Sequence, residues 1–203
     1  MSPWNERYNT ADYVFGTDPN DFLADQVRGL DPGRVLCVGE GEGRNAVFLA
    51  EQGHEVVAVD VAMTGLAKAG KLAKARGVTV KTRIADLRNY RIEPESWDLV
   101  VSIFCHMAPD ARVDLHRRIV AGLKPGGRLI LEAYTPAQLA FGTGGPPVAE
   151  LMMTLEGLRQ ELAGLVFHHG EELEREVVEG HLHTGRGAVV QVVAVKPAMK
   201  PTP

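Results

Sequence analysis

Residues Val35-Leu36-Cys37-Val38-Gly39-Glu40-Gly41-Glu42-Gly43-Arg44-Asn45 decide how this chain folds. An apolar run of strand type, Val35 to Val38, breaks into glycine at every second position. Ala46-Val47-Phe48-Leu49-Ala50 then follows with the composition of a helix. Strand, glycine turn and helix together make a nucleotide-type cradle. Glycine allows close approach of the backbone to a ligand, and the helix start offers N–H groups without intrahelical partners. Glu40 and Glu42 bias the choice of ligand, because carboxylates in the turn repel a pyrophosphate.

Outward from the cradle, the pattern repeats. Glu55 to Asp60 is a second buried strand ending in an acid, after a helix stop at Gly53. Met63 to Arg76 reads as helix, Val78 to Ile84 as a third strand followed by Asp86, and Trp97 to Phe104 as a fourth, buried on both faces. Asp110 to Leu123 is helical, Lys124-Pro125-Gly126-Gly127 a sharp turn, and Arg128 to Tyr134 a fifth strand. Strands alternating with helices at this spacing predict βαβ units and a parallel sheet with right-handed crossovers. Beyond the glycine/proline loop Gly142–Pro147, Thr154 caps a helix to Ala163. Two strand-type runs, Glu174 to His183 and Ala188 to Lys196, then predict an antiparallel hairpin turning at Thr184-Gly185-Arg186-Gly187. Upstream, Asp18-Pro19 predicts a helix start. The leader ahead of it, with Trp4, Arg7, Tyr8, Tyr13 and Phe15, packs on the core or covers the cradle as a lid.

Composition bounds the function. A chain of 203 residues, 45% hydrophobic, suits one domain with a sizeable core. A formal charge of −4 without a basic stripe argues against nucleic-acid or anionic-membrane partners. Lys68, Lys71, Lys74 and Arg76 read as the solvated face of one helix. Cys37 and Cys105 are the only two cysteines; both sit in apolar runs and read as free thiols of a reducing compartment, not a zinc site. With no apolar signal core and no stretch long enough to span a bilayer, the expected location is the cytoplasm.

Three ligands compete for the cradle. A Walker loop needs Gly-Lys-Ser/Thr, which is absent. The dinucleotide fingerprint places its third glycine where Arg44 stands, one residue after Gly43. S-adenosylmethionine has no phosphate but carries a sulfonium and an ammonium, which acids in the turn favour. Asp60, 17 positions past Gly43, can accept from ribose hydroxyls of either cofactor type, and Asp86 from an adenine amino group.

The series from Val35 to Asn45, Val59-Asp60, Ala85-Asp86-Leu87, Trp97-Asp98-Leu99-Val100 and Leu123–Gly127 resembles the successive motifs of class I S-adenosylmethionine-dependent methyltransferases, over residues 34 to 134. The Gly43-Arg44-Asn45 opening, the Glu51–His54 turn and the aromatic leader are most similar to the small tellurite-resistance and thiopurine-type enzymes. The resemblance implies an α/β, Rossmann-like, seven-stranded and mostly parallel sheet, with helices on both faces and a C-terminal antiparallel hairpin. It implies a single domain over 1–203: an N-terminal lid and helix (1–33), a cofactor core (34–134) and a substrate-side loop, helix and hairpin (135–203). The expected cofactor-binding residues are Trp4, Arg7 and Tyr8 of the leader; Gly39, Glu40, Gly41, Gly43, Arg44 and Asn45 of the turn; and Asp60, Val61, Asp86, Leu87, Ile103 and Phe104 at later strand ends. The family usually has an acid where Cys37 stands, and Glu40 is the candidate to replace it.

Methyl transfer from a sulfonium needs alignment and exclusion of water, with a base only where the nucleophile carries a proton. His106, past the fourth strand, is the candidate base; the alternative is a histidine bonded to a loop carbonyl. Tyr134 is the candidate substrate contact, while Glu132 either shares that rim or pairs with a base. His168, His169, His181 and His183 read as surface positions, so no metal is expected; His183 or Arg186 can also reach back to the substrate. The expected partner is a small-molecule methyl acceptor (an oxyanion such as tellurite, a thiol or a heterocycle), met by a monomer or homodimer. Two rivals remain: a NAD-type oxidoreductase and a non-catalytic S-adenosylmethionine-binding regulator.

Overall fold

Val35, Leu36, Cys37 and Val38 are each at most 2% exposed, which requires cover on both faces of their strand. A computed structural model, describing residues 2–198, supplies it. The strands are β1 (Arg34–Val38), β2 (Glu55–Asp60), β3 (Lys81–Ile84), β4 (Trp97–Ile103), β5 (Leu123–Tyr134), β6 (Val166–Glu179) and β7 (His183–Val195). The helices are α1 (Pro3–Arg7), α2 (Asp21–Gln26), α3 (Arg44–Glu51), α4 (Met63–Ala75), α5 (Pro109–Gly122) and α6 (Leu155–Glu161). One seven-stranded sheet runs in the order β3-β2-β1-β4-β5-β7-β6. β7 is antiparallel to both its neighbours, and the other adjacent pairs are parallel.

Strand period two sorts the core into two layers. Leu36 and Val38 face one layer with Leu115 and Ile119 of α5 and Leu158 of α6. Val35 and Cys37 face the other, with Phe22 and Leu23 of α2, Ala46 and Leu49 of α3, and Leu66 of α4. The strand order reverses between β1 and β4, so a crevice opens at their carboxyl ends, as the general rule for open α/β sheets requires.

Several local expectations are corrected. The first sheet-covering helix is capped by Asn20, not Asp18: Asn20 Oδ1 accepts from Leu23 N at 2.9 Å, while its own N–H is held by Asn45 Oδ1. β3 starts at Lys81, three residues later than expected. Leu123 already pairs with Trp97, so Lys124–Gly127 is a bulge inside β5 rather than a turn before it. The hairpin turns at Gly180-His181-Leu182, not at Thr184–Gly187, which are paired within β7. Gly180 takes φ +69°, and a side chain there would meet Val14 O at 2.2 Å, so this glycine closes the turn against the N-terminal segment. Lys68 is not solvated; it pairs with Glu42 at 2.7 Å and is 12% exposed.

Candidate active site

The glycines of the β1–α3 turn are needed for backbone reasons and for packing by the protein itself. Gly39, Gly41 and Gly43 have φ of +65°, +61° and +94°. A Cβ on them would collide with Cys105 Sγ at 2.7 Å, Tyr8 Oη at 2.5 Å and Ala69 Cβ at 2.5 Å respectively. Gly39 borders the crevice; Gly41 and Gly43 do not.

With glycine at its N-cap, α3 has no side-chain cap of its own. Glu40 fills that role: its Oε1 accepts from Ala46 N at 2.8 Å. Burial raises the Glu40 carboxyl to about 7, against the opposing pull of the Ala46 N–H and Arg44. Cys37 lies against it, and burial together with Glu40 pushes the thiol up. Glu42 is committed elsewhere: it accepts from Val14 N at 2.8 Å and Phe15 N at 3.3 Å and pairs with Lys68, latching the leader to the turn.

The crevice has a volume of about 850 Å³. On its β2 side, Asp60 accepts from Gly41 N at 2.8 Å through one oxygen and from Ala62 N at 2.7 Å through the other. Each oxygen keeps a free lone pair. Burial raises the Asp60 carboxyl despite these N–H groups. Val61 adjoins it. Past β3, Asp86 and Leu87 line the wall, but Asp86 Oδ2 also accepts from Arg88 Nε at 2.9 Å and Nη2 at 2.5 Å. Hydrogen bonds from Arg88 hold the Asp86 carboxyl below its usual range.

The leader forms the opposite wall. Trp4 stacks on Tyr8 at 5.7 Å, Arg7 lies over the Trp4 ring at 4.6 Å, and all three border the crevice. Arg44, Asn45, Ile103 and Phe104 complete the expected set on the wall. Phe104 adopts φ +51°, a left-handed conformation rare in a bulky residue, directly at the end of β4.

The two expected catalytic residues differ in placement. His106 borders the crevice, but Nδ1 bonds Leu151 O at 2.9 Å and Nε2 accepts from Tyr134 N at 3.4 Å. Both nitrogens are engaged, and burial takes the ring down to about 4. Its geometry is that of a wall bonded to a loop carbonyl rather than a free base. Tyr134 is fully buried behind the wall, stacked on His106, with its hydroxyl unpartnered and pushed up by burial.

Of the polar cluster behind this end, sequence reasoning offered only Glu132 paired with a basic group, which is Arg175, and missed the rest. Glu132 is fully buried and accepts from Arg175 at 2.8 and 2.7 Å, Gln191 at 2.7 Å and Asn20 at 2.5 Å. Glu179 bonds Arg44, Asn20 at 2.7 Å and Arg175 at 3.3 Å. Glu132 inside an apolar strand and Gln191 in Val189–Val195 were the available signals. Leu182, His183 and the Gly144–Pro147 loop also border the crevice; Gln138 pins that loop through Thr143 and Gly144. Among the described residues no group of three or more His, Cys, Asp or Glu is arranged to hold a metal ion.

A doubly covered sheet of this order, with acids at the carboxyl ends of its strands and a glycine turn capped by Glu40, defines a Rossmann-like α/β fold with its crevice at the carboxyl edge. Residues 35–127 match the family described as a methyltransferase domain. The 2-heptyl-1-hydroxyquinolin-4(1H)-one methyltransferase of Mycobacteroides abscessus is 32% identical over 122 residues, covering 58% of this chain and 54% of that protein. Thiocyanate methyltransferase 1 of Brassica oleracea is 29% identical over 161 residues, covering 77% and 66%. The chain thus spans less than two thirds of each of these relatives. The structure of TehB from Haemophilus influenzae shares the fold, with TM-score 0.73 at 17% identity, over 95% of this chain and 65% of that one. The family match spans a little under half of the chain, and the likeness to TehB is one of fold. No helix among the described residues is long and apolar enough to cross a membrane.

Proposed function

We propose that this chain, acting as one domain, transfers a methyl group from S-adenosylmethionine to a small-molecule acceptor. The observation that carries this is the Glu40–Ala46 hydrogen bond. It places a carboxylate of the protein on the helix start that a dinucleotide would need for its pyrophosphate, which disfavours the oxidoreductase alternative. Bound S-adenosylmethionine supplies a methyl carbon made electrophilic by its sulfonium. Asp60 accepts from the ribose hydroxyls with the lone pairs its backbone donors leave free. Asp86 and Leu87 receive the adenine, and Arg88 shares Asp86 or swings aside. Glu40, beside Gly39, receives the ammonium in place of the acid missing at Cys37. Arg44 and Asn45 hold the turn, while Val61, Ile103 and Phe104 shape the walls. Trp4, Arg7 and Tyr8 cover the site and exclude water.

A small acceptor is favoured by the lining: the leader, the Gly144–Pro147 loop and Leu182–His183 all border the same crevice of about 850 Å³. The relatives that act on a hydroxyquinolone and on thiocyanate support the same class, and the net negative charge supports the absence of a nucleic-acid partner. Calorimetric titration with S-adenosylmethionine and with NAD tests the cofactor. Heat with the first alone is expected; binding of NAD without S-adenosylmethionine overturns the proposal.

A further inference from the structure

His183 connects the crevice wall to a buried carboxylate. Its ring packs against Phe15, Phe104 and Tyr134 at 4.5, 4.9 and 5.3 Å between centroids. Four residues back across the hairpin turn, Glu179 Oε2 lies 3.9 Å from His183 Nδ1, which is buried and has no hydrogen-bond partner. Glu179 is fixed by Asn20, Arg44 and Arg175. Burial alone would raise its carboxyl, but His183, Arg44 and Asn20 bring it down to about 2, so it is ionised. A carboxylate facing Nδ1 selects the tautomer whose Nε2 carries a lone pair. Such contacts are often long before substrate binds and shorten in the reacting complex.

A second unpartnered group stands beside it. Arg44 is 7% exposed, spends Nη2 on Glu179 and leaves Nη1 buried without a partner. Tyr134 Oη, likewise unpartnered, is 3.2 Å from where a Cβ on Gly144 would stand, and Gly144 borders the crevice. Donors without acceptors at this corner favour a group that becomes negative.

Resting on the methyltransferase function above, we propose that His183, oriented by Glu179, takes the proton from a hydroxyl or thiol acceptor on a flat apolar body, and that Arg44 Nη1 stabilises the anion formed. The acceptor's X–H bond breaks as its proton passes to Nε2. The electron pair left on X forms the bond to the methyl carbon. The carbon–sulfur bond breaks with its pair going to sulfur, turning sulfonium into thioether, and the imidazolium returns its proton to water. The charged and titratable groups facing His183 are Glu179 on β6, Arg44 on α3, Arg7 on α1, Tyr134 on β5 and His106 after β4. Burial, aided by Arg44 and Arg7, holds the ring below its ordinary value against the pull of Glu179, so it is neutral and able to accept at neutral pH.

Nitrogen-15 NMR of histidine-labelled protein saturated with S-adenosylhomocysteine reads the tautomer without turnover. His183 is expected to carry its proton on Nδ1; an Nε2–H tautomer overturns the proposal. In parallel, His183→Gln is assayed with 2-naphthol, fully protonated at neutral pH, and with thiocyanate, which has no proton to lose. Transfer to 2-naphthol is expected to fall about 10²- to 10⁴-fold, and transfer to thiocyanate far less. Equal losses on both acceptors overturn the assignment. If the wild type binds S-adenosylhomocysteine but methylates neither probe, the failure lies with the methyl-transfer function for these acceptors, and the tautomer still decides the orientation of His183.

Discussion

At the residue scale, Asp60 and Glu40 carry the cofactor assignment, and they are separable by experiment. Asp60 holds two backbone N–H groups and keeps a lone pair on each oxygen. Asp60→Ala is expected to weaken S-adenosylmethionine binding by roughly 2–4 kcal/mol, from two lost charge-assisted hydrogen bonds. Calorimetry checks this, and unchanged affinity would remove Asp60 from the ribose site. Glu40 predicts a pH dependence. Its carboxyl titrates near 4.5 when free and at about 7 in the fold, raised by burial. The folded chain therefore keeps a proton that the unfolded chain releases between those values. The stability it contributes is fully present below about 4.5 and is lost as pH rises through about 7. Across that window wild type should lose on the order of 3 kcal/mol relative to Glu40→Gln in urea titrations. A cationic ligand favours the ionised form, so S-adenosylmethionine affinity should rise as pH approaches 7 from below.

At the scale of elements, the hairpin and the leader act together. His181 N donates to Val14 O at 2.8 Å, and Gly180 leaves no room for a side chain against the same segment. Gly180→Ala should lower the melting temperature and weaken cofactor binding at once, because it releases the wall formed by Trp4, Arg7 and Tyr8. Lower stability with full affinity would separate the turn from the lid. Behind the site, Arg175→Met leaves Glu132 buried and without its bidentate partner, at an expected cost of about 3–5 kcal/mol in denaturant titrations. The sequence offered Glu132 as the partner of a basic group, but not which partner or the network around it. The Glu132–Arg175 and Arg44–Glu179 partners lie 43 and 135 residues apart, and no local period records such pairings. The turn was misplaced because Thr184-Gly185-Arg186-Gly187 has turn composition, whereas tertiary contact with Val14 makes Gly180 the required glycine.

At the scale of the whole molecule, the alternation of strand and helix was enough to read the parallel sheet and its closing hairpin. Strands buried on both faces leave continuous apolar runs, and the rim acid Asp60 stands where one of them ends, whereas Asp86 follows the exposed edge strand β3. The rim was therefore legible as positions, while the direction of each side chain was not: His106 turned both nitrogens to the backbone, and His183 came to the crevice through a hairpin read with the wrong turn. One sheet with two shared layers also predicts cooperative unfolding, with a single transition seen alike by near- and far-ultraviolet circular dichroism. The most direct test of the central claim follows a labelled methyl group from S-adenosylmethionine, offered with a panel of thiols, hydroxy-heteroaromatics, oxyanions and transfer RNA. Label is expected in a small-molecule product and to disappear with Asp60→Ala. Label in the RNA alone, or tight cofactor binding with no labelled product from any acceptor, would contradict it.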